Sequence, residues 1–237
     1  MNLRLEQVAF SYGEHKVIED LSLDLQPGLF YGVLGPNGSG KTTLLDLLTG
    51  LRTPSAGRIR YGGRDLRQFP RSQLAREMAL VPQNFYVNFP FRVHEVVMMG
   101  RYPYMPRFRP PSAEDEQIVA DAMSAAQISD YADRFVTELS GGEKQRVVFA
   151  RARAQDTPLL LLDEATSSMD IHHSIQALNL VARRVKDNKR TALAVMQDIN
   201  LAGMYCEQLI FMNHGQIVCQ GPTRQVLTPD TIRQVFE

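Results

Sequence analysis

Three short runs in this 237-residue chain carry residue types suited to phosphate chemistry: GPNGSGKTT at 35–43, LSGGEKQR at 139–146 and LLLLDEAT at 159–166. In the first, Gly35, Gly38 and Gly40 let backbone N–H groups turn inward around an anion, with Pro36, Asn37 and Ser39 completing the loop. Lys41 adds a movable positive charge. Thr42 offers a hydroxyl able to ligate Mg2+, and Thr43 continues into a helix whose positive end faces the phosphates. In the third run, Asp163 and Glu164 close a stretch of four leucines. A carboxylate at a strand's end can hold the water shell of a magnesium ion. Its neighbour can take a proton from an attacking water, as a general base. The first and third runs together are the two halves of a nucleoside triphosphate hydrolysis site. The second, Ser140-Gly141-Gly142-Glu143, reads alone as a capping box, with Ser140 capping a helix and Glu143 reaching back. Its two glycines also expose amides at a helix start, which makes an anion site.

These runs need elements to position them. Residues 30–34 form an apolar strand entering the glycine loop, and the spacing of Leu44, Leu45, Leu47, Leu48 and Leu51 predicts a helix leaving it. Strand patterns recur at 79–82, 159–163, 191–196 and 208–213, alternating with helical patterns at 143–155, 171–187 and 198–205. That alternation predicts an α/β fold with a parallel sheet. Residues 3–10 and 16–25, turning at Gly13, and GRIRY at 57–61 predict a small antiparallel β layer beside it. Residues 84–135 break the rhythm with a Pro- and aromatic-rich stretch and then a polar helix near 113–127, and read as a helical insertion.

LSGGEKQR, placed between the glycine loop and the Asp-Glu strand, resembles the signature of ABC-type ATPases, and the resemblance extends over essentially the whole chain. It implies one P-loop ABC ATPase domain over 1–237, with a helical subdomain at about 84–155 inserted in the α/β core. It implies that Tyr12 stacks on adenine and that Gln83 senses Mg2+ and the water. Thr42, Gln83 and Asp163 are then the metal-side residues and Glu164 the base. Ser167-Ser168-Met169-Asp170 matches the loop that crosses the dimer interface. In this family two subunits pack head to tail, so that Ser140, Gly141, Gly142 and Glu143 serve the ATP held by the partner's glycine loop. ATP then joins the subunits and its hydrolysis releases them.

One position departs from the family pattern. Where a histidine usually precedes aspartate after the strand at 191–196, this chain has Gln197-Asp198. A glutamine amide can donate a hydrogen bond but carries no charge. Losing one preorganised contact to a developing charge costs about 10²- to 10³-fold in rate. The sequence therefore predicts slowed hydrolysis; the alternative is a Gln197 that works adequately beside Glu164. His172-His173 reads as a solvent-facing pair at a helix start, since no carboxylate or thiol cluster completes a metal site.

Seven of the nineteen Phe and Tyr residues lie between 85 and 108: Phe85, Tyr86, Phe89, Phe91, Tyr102, Tyr104 and Phe108. About half read as packing, and the rest as apolar surface for a partner. In ABC transporters a helix of the integral membrane permease docks here. VHEVVMMGRYPYMPRF followed by PSAEDE is similar to the importer ATPases for iron–siderophore, haem, cobalamin and related metal chelates. The resemblance implies a peripheral ATPase homodimer on the cytoplasmic face of the inner membrane, with a separate substrate-binding protein. Rival readings are the ATPase of another ABC transporter, such as a molybdate importer or an exporter, and a soluble ABC clamp on nucleic acid. A single cassette and no evident basic patch count against a nucleic-acid partner. Lys+Arg and Asp+Glu balance at 26 each, so no global charge draws the chain to nucleic acid or lipid. The N-terminal MNLRLEQVAFSYG alternates like a strand and lacks the apolar centre of a signal peptide. Cys206 and Cys219 read as small core residues.

Overall fold

The computed structural model describes residues 2–237 apart from 84, 86–88, 107, 168 and 189, and only the backbone of residue 188. Tyr86 and Ser168 of the sequence argument lie outside the described residues. Alternating apolar residues build β1 (Leu3–Tyr12), which pairs through a tight turn with β2 (His15–Leu25). β3 (Phe30–Leu34) enters the glycine loop and α1 (Lys41–Leu48) leaves it. β4 (Ala56–Tyr61) and β5 (Arg64–Asp65) follow. Among the described residues the first sheet has the order β2-β1-β4-β5, antiparallel throughout.

α2 (Arg71–Glu77) and β6 (Met78–Val81) lead to the insertion, which contains α3 (Val93–Met98) and α4 (Ala113–Ala125) and packs on α5 (Gly141–Gln155). The chain then alternates through β7 (Leu159–Asp163), α6 (Ile171–Asn188), β8 (Thr191–Val195), α7 (Ile199–Tyr205) and β9 (Gln208–Asn213). β10 (Gln216–Pro222), α8 (Thr223–Val226) and α9 (Pro229–Phe236) close it. The second sheet has the order β10-β9-β3-β8-β7-β6. β9, β3, β8, β7 and β6 run parallel. β10 turns back antiparallel at the edge.

Every residue of β3, β7 and β8 is buried, which is why these strands read as unbroken apolar runs. One core lies between the sheets and takes in Leu44, Leu45, Leu47 and Leu48 of α1. A second, on the other face of the parallel sheet, takes in Leu178, Val181 and Val185 of α6. A third belongs to the insertion and joins Val96, Val97, Val119 and Met123 to Val147 and Ala150 of α5. Each fully buried Leu or Val contributes about 1.5–3 kcal/mol. The shared helix α5 therefore fixes the insertion against the sheet that carries β7. Cys206 sits in the second core, where burial pushes its thiol up to about 12, so it is inert at neutral pH.

Candidate functional site

The glycine loop is shaped by backbone that only glycine adopts freely. Gly38 and Gly40 have φ 79° and 95°. A Cβ on Gly40 would come within 2.8 Å of Ile18 Cδ1, whereas one on Gly38 would meet nothing within 4 Å. The loop is thus packed tightly against β2 on one side and open on the other. Lys41 is buried, and its Nζ donates to the carbonyls of Gly35 and Pro36 at 2.9 Å each. This curls the side chain over the loop mouth. Burial lowers the Lys41 pKa, while Glu164 and Asp163 oppose the shift. Ser39 Oγ is buried and has no hydrogen-bond partner among the described residues, a spare polar atom inside the loop.

β3, β8 and β7 are neighbours in the parallel sheet, so the loop after β3 comes beside the end of β7. Thr42 Oγ1 donates to Asp163 Oδ1 at 3.1 Å. Burial pushes the Asp163 carboxyl up to about 6, with the Thr42 hydrogen bond opposing and the Glu164 charge adding to the rise. Glu164 has a left-handed backbone (φ 45°), its N–H bonded to the carbonyl of Val195 at 3.1 Å. For a non-glycine residue this costs about 1–2 kcal/mol. It turns the carboxylate out of the strand's line and into the cleft between two glutamines. Gln83 Nε2 and Gln197 Nε2 each donate to Glu164 Oε2 at 2.6 Å. The three residues come from the ends of β6, β7 and β8, adjacent in the sheet.

Hard oxygen donors suit Mg2+. Thr42 Oγ1 and Asp163 Oδ1 are such a pair, and the Gln83 amide oxygen is a third donor in the same cleft. The donor set fits magnesium. Among the described residues no cluster of three or more His, Cys, Asp or Glu side chains could hold a metal. His172 and His173 pair instead with Gln176 at 2.9 Å and with Asp170 at 2.7 Å. The hydrogen bonds from His173 hold the Asp170 carboxyl below its usual range.

Not everything singled out in the sequence converges. Ser140 caps α5: its hydroxyl accepts from Glu143 N at 3.4 Å, and its N–H and hydroxyl donate to Glu143 Oε2 at 2.8 and 2.7 Å. Ser140 and Gly141 are exposed, and a Cβ on Gly141 would meet nothing within 4 Å. Among the described residues no hydrogen bond or ion pair ties Ser140, Gly141, Gly142 or Glu143 to the glycine loop or to Glu164. Tyr12 is 42% exposed at the end of β1, with the Phe10 ring edge-on at 4.9 Å. Gln145 of α5, which the sequence did not single out, is buried, and its amide donates to the Pro82 carbonyl at 3.2 Å. It ties the helix of the Ser140 cap to the segment that carries Gln83. A lone glutamine on a helix gives no sequence signal for such a bond.

The aromatics at 85–108 divide. Phe85 is partly buried between the second and third cores, with Arg151 over its ring at 5.0 Å. Tyr104 is half-buried and donates to the Gln155 carbonyl at 2.9 Å. Phe89, Phe91, Tyr102 and Phe108 are exposed.

The family model described as ABC transporter matches residues 18–167, well over half the chain. The chain is 38% identical over 234 residues to the ferric enterobactin transport ATP-binding protein of Escherichia coli K12, covering 99% of this chain and 86% of that protein. It is 40% identical over 239 residues to the hemin import ATP-binding protein of Pseudomonas entomophila L48, covering 99% and 92%. It is 41% identical over 222 residues to the cobalamin import ATP-binding protein of Halobacterium salinarum, covering 94% of this chain but only 55% of that protein. The chain thus spans about half the length of some curated relatives it matches. A solved structure of a metal-chelate type ABC transporter, inward-facing, superposes with a TM-score of 0.85 at 30% identity, covering 99% of this chain and 88% of that one. The dimeric structure of a bacterial ABC transporter cassette gives 0.84 at 25% identity, covering 94% and 99%. Motif order, sheet topology and these relatives agree: the chain belongs to the ABC transporter family of ATP-binding subunits.

Proposed function

We propose that this chain is the ATP-hydrolysing subunit of an ABC importer for a metal chelate of the iron–siderophore, haem or cobalamin type. The observation that carries the hydrolytic reading is the cleft at Glu164. There a carboxylate carried on left-handed backbone and held by two amides stands beside the Thr42–Asp163 pair. The importer reading is supported by the relatives' names, which speak of ferric enterobactin, hemin and cobalamin.

Residues 35–43 wrap the phosphates, with Lys41 moving from the Gly35 and Pro36 carbonyls to the anion. Thr42, Asp163 and Gln83 hold Mg2+, which when bound offsets phosphate charge. Tyr12 stacks on adenine. Glu164 takes the proton of the attacking water on the oxygen left free by Gln83 and Gln197. Gln197 spends its amide donor on Glu164, so less is left to steady the terminal phosphate, and turnover is slowed. Ser140 and Gly141, exposed at the start of α5, and the half-buried Gly142 beside them serve the ATP of a second copy, with Asp170 at the subunit boundary. The assembly is a homodimer on the cytoplasmic face of the membrane. Phe89, Phe91, Tyr102 and Phe108 dock the permease, and a separate binding protein delivers the chelate. No nucleic acid takes part. Among the described residues no helix is long and apolar enough to cross a membrane.

The test is phosphate release and ATP binding in Lys41→Ala and Glu164→Gln. Lys41→Ala should lose tight Mg-ATP binding. Glu164→Gln should keep binding and lose turnover by about 10²- to 10⁴-fold, as removal of a general base does. Unchanged turnover in Glu164→Gln would remove that residue from the role of base.

A further inference from the structure

The Tyr12 ring has a second neighbour besides Phe10. The guanidinium carbon of Arg52 lies over it, 5.1 Å from the ring centroid. That is inside the roughly 6 Å range of a cation–π contact. Arg52 follows α1, the helix that starts at Lys41. It is tied back to that helix twice. Its N–H donates to the Asp46 carbonyl at 3.1 Å, and its Nε lies 3.9 Å from Asp46 Oδ2. Two bonds from Ser55, N–H and hydroxyl, to the Ala9 carbonyl at 2.8 and 2.9 Å fasten the same loop to β1. The ring is therefore anchored from the glycine-loop helix as well as from its own strand.

We infer that Arg52 is a positioning residue for the nucleotide's base: held by Asp46 at the far end of the glycine-loop helix, it fixes the Tyr12 ring in the orientation on which adenine stacks. This rests on the reading of Tyr12 as the adenine platform. An unrestrained tyrosine at a strand's end must lose rotamer freedom when it stacks, and that loss weakens binding. A guanidinium over the ring, itself restrained by Asp46, removes part of that loss in advance. Because one helix joins the phosphate loop to the Arg52 loop, the distance between phosphate cradle and base platform is also set by a rigid element. A planar guanidinium does this better than an ammonium, which lacks a flat face to lie on the ring.

The effect falls on the base and not on the phosphates, which separates it from a general structural role. Displacement of a ribose-labelled fluorescent ATP from the full chain should be measured with Mg-ATP and with Mg-tripolyphosphate. Tyr12→Ala, Arg52→Ala, Arg52→Lys and the double variant are compared. Arg52→Ala should weaken ATP about two- to fivefold, the size of one exposed cation–π contact, and leave tripolyphosphate unchanged. Arg52→Lys should recover only part of the loss. In the Tyr12→Ala background Arg52→Ala should add nothing. Arg52→Ala that leaves ATP affinity unchanged, tightens it, or weakens ATP and tripolyphosphate alike overturns the inference and spares the Tyr12 reading. Tyr12→Ala without an ATP-selective loss overturns the Tyr12 reading, and the inference with it.

Discussion

At the scale of single residues, the cleft turns on how many donors share one carboxylate. Gln83 and Gln197 both spend their amides on Glu164 Oε2. Two donors on one oxygen fix the carboxylate's direction, and the proposed mechanism uses the other oxygen, Oε1, for the water. Gln197 has only amide hydrogens to divide between Glu164 and a phosphate, and no charge. A histidine there could carry a proton toward the phosphate while leaving Glu164 to Gln83. Gln197→His should therefore raise phosphate release at saturating Mg-ATP by about 10²-fold, the size of one oxyanion-type donor. Equal rates in the two proteins would mean that Gln197 is a working substitute. The residues of this cleft were legible one by one because glycine, lysine and paired carboxylates at fixed spacing have few other uses. Their convergence was not. Gln83 and Gln197 are far apart in the chain and meet Glu164 only because β6, β7 and β8 are adjacent in the sheet.

At the scale of elements, the start of α5 is a helix cap, and the second role proposed for it can be separated from the first. As a cap it closes the Ser140–Glu143 box, whose hydrogen bonds hold the Glu143 carboxyl below its usual range. Ser140→Ala should cost about 1 kcal/mol in urea unfolding, and Ser140→Asn, an equally good cap, should recover most of it. If Ser140 also serves a second copy's ATP, Ser140→Asn should keep the stability and still weaken ATP-dependent association. Identical unfolding midpoints for Ser140→Ala and the parent would show that the box adds nothing measurable. The elements themselves were legible where they are long or wholly buried: β3, β7, β8, α5 and α6 all fall where periodicity places them. α3 spans only Val93–Met98, too short for helical spacing to declare itself. β10 has a mixed burial pattern and ends at Gly221-Pro222, as suits an antiparallel edge strand. The α9 start, Thr228 capping ahead of Pro229, is a helix signal written in the sequence.

At the scale of the whole molecule, two helix starts equipped for anions differ in what covers them. α1 opens onto its own glycine loop, while Ser140 and Gly141 at the start of α5 stand exposed with no bond to that loop. A second copy turned head to tail would bring each exposed start against the other's loop. Formal charge is balanced at 26 basic and 26 acidic residues, so self-association meets no net repulsion. The bond from Gln145 to the Pro82 carbonyl then links the α5 start to the segment bearing Gln83, and so to Glu164. Association and the state of the cleft should be coupled, each favouring the other by the same factor. Mg-ATP should accordingly convert the 26.7 kDa chain to a species of twice that mass. If Gln197 slows turnover as proposed, that species should persist, and Gln197→His should shorten its lifetime. Lys41→Ala should stay monomeric at the same ATP concentration. Light scattering across a protein dilution series reads all three. A mass unchanged by Mg-ATP at concentrations where ATP binding is saturated would show that the isolated chain does not close head to tail, and the exposed start of α5 would then need another partner.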